Sequence, residues 1–256
     1  MQQYTERQFL SALQRFRQAR PLVHCLTNEV VQEVTANVLL AAGASPAMVV
    51  AREEASFFAR IASALLVNIG TPYAARLRVM HDCVDAANER KKPWVLDPVA
   101  AGGIPWRDDV IRAFCQKGPT VIRGNASRVL ALSGCESNGS GVDSHDSSEQ
   151  AIEPAKTLAL RYQTVVHVTG ATDYITDGKR VIAVLGGDPM ATLVVGTGCS
   201  LSALVAAYCA TRSTPLLGAA AAAYHAKRAA DYAKTQAKGP GSFHNAYLDG
   251  LYLEGR

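Results

Sequence analysis

What this chain lacks narrows its chemistry before any motif is weighed. No apolar run approaches the roughly 18 residues needed to span a bilayer, and the alanine-rich stretch 216–223 is far shorter. No cysteine pair is spaced C-x-x-C, and none clusters with histidine at metal-binding spacing. The six cysteines, Cys25, Cys83, Cys115, Cys135, Cys199 and Cys209, therefore read as reduced thiols of a cytoplasmic protein. No lysine- or arginine-rich run stands out and the formal net charge is only +4, so nucleic acid finds no electrostatic footprint. The basic spot Glu89-Arg90-Lys91-Lys92 fits a helix end, where cations suit the dipole. The polar start Met1-Gln2-Gln3-Tyr4 carries no signal-peptide core, and no Walker-type G-x-x-x-x-G-K-[ST] occurs. A soluble protein with neither membrane nor nucleic-acid partner is expected.

What is present is a regular alternation. Apolar runs of strand type at 22–26, 44–50, 64–69, 93–98, 120–125 and 164–169 are separated by helical patterns at 6–18, 30–42, 53–61, 74–90, 108–115, 129–132 and 151–161. A hairpin pairs 174–176 with 181–184 around Asp177-Gly178, and helices over 201–210, 216–234 and 246–253 close the chain. Residues 134–148, rich in Gly, Ser, Asp and Asn, read as a surface loop. The 48% hydrophobic content suffices for one core, and nothing linker-like interrupts the pattern. It predicts a single α/β domain over 1–256, with a mostly parallel sheet covered on both faces. Ligands of such sheets bind at the carboxyl ends of the strands. Thr27/Asn28, Asn68/Thr71, Asp97, Arg123/Asn125 and Thr169/Asp173 fall there.

A further candidate is Val195-Gly196-Thr197-Gly198-Cys199, where two glycines precede a long helical pattern. Glycines let the backbone turn and approach a ligand, and a helix start offers free N–H groups to an anion. By itself the loop is equally a turn before a core helix. Taken with a strand-end carboxylate and with an arginine and asparagine in one turn, it suggests phosphoryl transfer by an enzyme without a P-loop. A thiol at a helix start has a lowered pKa, which would leave Cys199 partly ionised and able to act as a weak base. Covalent catalysis would need His24, His167 or His225 beside it. The first two lie in apolar strand patterns, where a hydrogen-bonded core histidine is the better reading, and the third sits on an alanine-rich helix; no sequence signal places any of them beside Cys199. Ser242 in Gly239-Pro240-Gly241-Ser242-Phe243 reads as a helix N-cap.

These residues carry a family resemblance. Pro21-Leu22-Val23-His24 with Thr27-Asn28, Gly43-Ala44-Ser45-Pro46-Ala47-Met48, Leu96-Asp97-Pro98-Val99, Ile122-Arg123-Gly124-Asn125, Val168-Thr169-Gly170, the Gly196 to Cys199 loop and Gly239-Pro240-Gly241-Ser242-Phe243 resemble hydroxyethylthiazole kinases, in order from about residue 21 to about residue 250. The resemblance implies a ribokinase-like fold and Mg-ATP-dependent phosphorylation of 4-methyl-5-(2-hydroxyethyl)thiazole in thiamine salvage. It also implies a homotrimer with sites between subunits. On that pattern Arg123, Thr169 and Asn125 bind ATP, Asp97 serves Mg²⁺, Met48 and Gly196 contact the thiazole, and Asn28 lines the cleft. Thr197, Gly198 and Cys199 would form the catalytic anion hole beside the substrate hydroxyl.

One position departs from the family. Where it carries the glutamate of an N-x-x-E motif, this chain reads Asn125-Ala126-Ser127-Arg128. Three outcomes follow. Arg128 faces solvent and another acid substitutes, Arg128 itself binds phosphate, or the chain binds ligands with impaired turnover. A ribokinase-like kinase for another small alcohol is a further alternative, against which Cys199 speaks.

Overall fold

The computed structural model describes residues 4–134, 147–211 and 213–255, so most of the 134–148 loop lies outside the described residues. Eight strands form one sheet: β1 (Leu22–Leu26), β2 (Ser45–Ala47), β3 (Ala64–Asn68), β4 (Trp94–Asp97), β5 (Val121–Asn125), β6 (Val165–Thr169), β7 (Asp173–Thr176) and β8 (Val181–Val184). The helices are α1 (Glu6–Ala19), α2 (Gln32–Ala42), α3 (Arg52–Ile61), α4 (Ala74–Glu89), α5 (Pro105–Cys115), α6 (Ala126–Ser133), α7 (Ile152–Tyr162), α8 (Thr197–Cys209), α9 (Pro215–Gln236) and α10 (Pro240–Leu253). The strand order is β2-β1-β3-β4-β5-β6-β7-β8. Pairing is parallel from β2 through β6 and antiparallel for β6, β7 and β8.

The central strands are mostly apolar, with polar residues gathered towards their carboxyl ends, because both faces are covered. Val23, Cys25, Leu66, Val95 and Val121 point into one core with α1, α2, α8, α9 and α10. Their alternates Leu26, Leu65, Val67, Leu96 and Ile122 point into a second core with α3 to α7. Helix α2 therefore crosses on one face on the way from β1 to β2, and α3 returns on the other to reach β3. The direction of the sheet reverses between β1 and β3.

Two boundaries differ from the sequence patterns for local reasons. The second strand shortens to Ser45–Ala47, a sheet edge where Pro46 lacks the N–H a central strand would need. Helices α8 and α10 begin earlier than their apolar periodicity, at Thr197 and Pro240, each immediately after a glycine. Ser242 is accordingly not the N-cap. It is the third residue of α10, and its Oγ accepts from Lys238 N at 2.8 Å and Gly239 N at 3.2 Å. A 3-10 turn, Pro189–Leu193, leads towards α8 and went unread, although Asp188 before Pro189 is an ordinary helix start. The alanines Ala220 to Ala223 are buried in the first core, and Trp94 is buried while Trp106 is half exposed. Among the described residues no helix is long and apolar enough to cross a membrane, and the described cysteines are all free.

The three histidines are core groups with fixed partners. His24 Nε2 meets Val49 O at 2.6 Å, and His167 Nε2 meets Asp173 Oδ2 at 2.8 Å. His225 ties α8 to α10, with Nδ1 accepting from the Tyr208 hydroxyl at 3.0 Å and Nε2 donating to Leu251 O at 2.8 Å. Burial pushes the His225 pKa down to about 4, so the ring is neutral when folded and takes a proton on unfolding below its ordinary value. This contribution to stability is whole above pH 6.5 and is lost as pH falls towards about 4, amounting to about 3 kcal/mol over that span. The urea midpoint is expected to drop between about pH 7 and about pH 4.5, and to drop less in His225→Gln, whose side chain takes up no proton.

Candidate active site

The strand order reverses between β1 and β3, and the carboxyl ends of the strands at such a point are where α/β sheets bind ligands. Asn28 follows β1, Asn68 ends β3, and Asp97 ends β4 in register with Asn68. All three are buried and form a relay. Asn28 Nδ2 donates to Asn68 Oδ1 at 3.0 Å, and Asn68 Nδ2 donates to Asp97 Oδ2 at 2.9 Å. Ser202 on α8 donates to the same Asp97 oxygen at 2.9 Å. At the other end Asn28 Nδ2 lies 3.6 Å from Cys199 Sγ. Cys199 and Ser202, three residues apart, share one face of α8 and both meet this line of polar groups.

The start of α8 is set by Gly196, at φ 89°, where any Cβ would lie 2.3 Å from Val34 Cγ1. The first intrahelical bond runs from Ser200 N to Gly196 O at 2.8 Å, which leaves the preceding N–H groups without helical acceptors. The Thr197 hydroxyl turns away and donates to Ala191 O at 2.7 Å, so only its backbone is available to a ligand. Arg123 braces this turn against the sheet. Its Nη1 donates to Gly198 O at 2.9 Å and its Nη2 to Thr169 Oγ1 at 2.9 Å, while Thr169 Oγ1 donates to Gly124 O at 3.3 Å. Gly198 is required by that contact, because a Cβ there would sit 3.2 Å from Arg123 Nη1. Burial lowers the Arg123 pKa and the Asp97 charge opposes the shift, so the site holds a poorly solvated cation beside a helix start.

Cys199 corrects one expectation. Burial, and then the Asp97 charge, push its thiol pKa up, against the Asn68 amide and the Arg123 and Arg128 cations. It is a neutral thiol near pH 7, not a partly ionised base. Among the described residues no histidine is bonded to it, and His24, His167 and His225 are engaged elsewhere.

The remaining positions divide. Asn125 spends its carboxamide oxygen as the N-cap of α6, accepting from Arg128 N at 3.2 Å. Met48 lies just past the edge strand β2, half-buried against the first core and apart from the polar relay. Beside Gly196 a cavity of about 270 Å³ is lined by Val30, Val34, Val194 and Val195 with Glu33 and His244. Asp173 does not join the site; it pairs with His167 and with Lys227 Nζ at 3.2 Å. Thr71 accepts from Glu29 N at 3.1 Å. Sequence reasoning set Asn68 among the strand-end residues without giving it a role, and left Ser202 out of the site. Their signals were a strand-end position beside Asp97 and the i+3 spacing from Cys199.

Arg128 does not face solvent. Its side chain is only 12% exposed and Nη1 is 3.2 Å from Asp97 Oδ1. Asp97 thus carries donors on both oxygens, one of them a cation. Among the described residues no group of three or more His, Cys, Asp or Glu side chains comes together to hold a metal. One carboxylate, already capped by an arginine, does not fit a metal ion gripped by the protein.

The geometry joins a helix start braced by a cation to a small cavity of mixed apolar and polar lining, and comparison with known proteins places the chain in a family. A sequence profile of the hydroxyethylthiazole kinase family matches residues 13–254. The chain is 54% identical to the hydroxyethylthiazole kinase of Yersinia enterocolitica over 242 residues, covering 94% of this chain and 93% of that protein. It is similar to the solved structure of a hydroxyethylthiazole kinase protein from Pyrococcus horikoshii OT3, with TM-score 0.88 and 41% identity over 95% of this chain and 92% of that one. A ribokinase-like superfamily protein from Enterococcus faecalis shares the fold alone, with TM-score 0.68 and 12% identity over 98% of this chain and 95% of that one. With a profile match over nearly its whole length, and the Arg123, Asp97 and Gly196 to Cys199 elements gathered at one end of a ribokinase-like sheet, this chain belongs to the hydroxyethylthiazole kinase family.

Proposed function

We propose that the chain transfers the γ-phosphoryl group of ATP to the hydroxyl of 4-methyl-5-(2-hydroxyethyl)thiazole, the salvage step that feeds thiamine synthesis. The observation that carries this reading is Arg123 seated on the first turn of α8, which joins a buried cation to a row of helix N–H groups at one point. There the transferring group would be held from both sides. The alcohol oxygen attacks the γ-phosphorus, the bond from that phosphorus to the β–γ bridging oxygen breaks, and ADP leaves with the electron pair. Through a loose transition state the alcohol proton is lost late, so alignment and charge stabilisation matter more than a base. A neutral Cys199 suits that role as a packing and hydrogen-bonding neighbour.

In this reading Arg123, Thr169 and Asn125 attend ATP, and the backbone of Thr197, Gly198 and Cys199 cradles the transferring phosphoryl. Asn28 orients the alcohol and Met48 with Gly196 shapes the thiazole pocket. Mg²⁺ arrives as the counter-ion of the nucleotide phosphates. The single continuous sheet supports one domain over 1–256. A homotrimer with sites between subunits is supported by the unpaired edge of β2 and by Val50, Phe57 and Ile61, which stand 46%, 63% and 54% exposed near it. Free thiols and the use of ATP accord with the cytoplasm. The alternatives of a binder without turnover and of a kinase for another alcohol are not favoured by the family assignment.

Mixing the protein with Mg-ATP and hydroxyethylthiazole is expected to release ADP in a thiazole-dependent manner; thiazole binding without that signal would sink the kinase reading. Cys199→Ser is expected to keep kcat within about tenfold of the parent, and the pH profile of the parent to show no thiol limb below about pH 9. A loss of about a thousandfold or more, with ATP and thiazole still bound, would instead make the thiol a proton acceptor.

A further inference from the structure

The pairing of Arg128 with Asp97 alters what this site can hold. Asp97 is fully buried, and its Oδ2 accepts from Asn68 and Ser202 while its Oδ1 faces Arg128 Nη1. A divalent cation approaching Oδ1 would meet the guanidinium already seated on that oxygen, whose positive charge opposes it. The placement of Arg128 is built into the local fold. Asn125 caps α6 through the Arg128 N–H, and Gly124 leaves room for the side chain, since a Cβ there would lie 3.2 Å from Arg128 Cβ and 3.4 Å from its Cδ. Arg123, bonded to Gly198 O and Thr169 Oγ1, lies near enough to feel the charges of Asp97 and Arg128, so two guanidinium groups and one carboxylate share the site with a net charge of +1. Glutamate at 128 would leave −1.

Both arginines also carry a buried Nε–H that has no acceptor among the described residues. An unsatisfied buried donor is destabilising, and a phosphate oxygen is an acceptor that planar guanidinium groups take well. We propose that Arg128 takes the place of a divalent cation on Asp97 and turns its remaining N–H groups to the terminal phosphates of the nucleotide, so that ATP binds this chain without a metal gripped by the protein. This rests on the kinase reading above and names Arg128 as an additional nucleotide-binding residue, paired with Arg123 in a two-cation clamp.

Calorimetric titration of ATP into the protein, in excess EDTA and in excess Mg²⁺, reads the clamp directly. The parent chain is expected to bind ATP with dissociation constants within about threefold of each other in the two conditions. Arg128→Glu is expected to bind at least about tenfold more weakly in EDTA and to regain affinity in Mg²⁺, with Arg128→Gln weakened in both. Mn²⁺ added without nucleotide, followed by its electron paramagnetic resonance signal, is expected to stay free with the parent and to bind Arg128→Glu. Parent binding that collapses about tenfold or more in EDTA, or Arg128→Glu that matches the parent there, would overturn the clamp. The parent comparison needs no variant and stands even if Arg128→Glu misfolds. Thiazole-dependent ADP release alongside EDTA-sensitive ATP binding overturns the clamp alone, whereas no ATP binding in either condition overturns the kinase reading with it.

Discussion

A carboxylate removed from water needs a full set of donors, and at Asp97 that requirement organises the whole site. Its donors come from three separate elements: Asn68 at the end of β3, Ser202 on α8 and Arg128 on α6. To satisfy one side chain the sheet, the central helix and the helix after β5 must sit in fixed relation. The same set of bonds places Cys199 and the start of α8 at the carboxyl ends of these strands. Polar groups that look like a catalytic array are therefore also what holds the helix start in place, and removing one of them disturbs both.

Burial explains why the array sits where it does. With cores on both faces, a ligand meets the parallel sheet at the ends of its strands, and the strand order reverses between β1 and β3, where the crossovers on either side diverge. Helix α8 runs through the first core with Ser200 to Cys209 all buried, so apolar packing anchors its body. Only its first turn is free to meet a ligand. Rigidity behind and open N–H groups in front are what an anion site requires, because hydrogen bonds made without reorganisation are the ones that lower a barrier.

Much of this was legible in the sequence. Strands show as short apolar runs, and the strand-end rule drew attention to Asn28, Asp97, Arg123 and Thr169 before any coordinates. Helix starts were less visible, because α8 and α10 open on glycine, threonine and proline, which carry no apolar period. The ionisation of Cys199 was misread for a similar reason. A helix start lowers a thiol pKa, but burial and a neighbouring carboxylate raise it, and neither burial nor that carboxylate can be seen from the spacing. Arg128 was recognised as a departure, but the sequence does not say which way a side chain turns. That depended on Gly124 leaving space and Asn125 fixing the backbone of α6.

The two arginines of the site are not equivalent. Arg123 is consumed by structure: both terminal nitrogens hold protein oxygens, one on α8 and one on β6, so its main gift to a ligand is its charge. Arg128 is bound through Nη1 to Asp97, and the rest of its guanidinium is uncommitted among the described residues. A brace that moved would release the helix start, so Arg123 cannot also follow a phosphate as it transfers. Arg128, anchored at one nitrogen and partly reached by solvent, can shift by rotating about that anchor. The division of labour follows from the number of nitrogens each side chain has left to give: one arginine fixes the frame, and the other is free to answer the charge that moves within it.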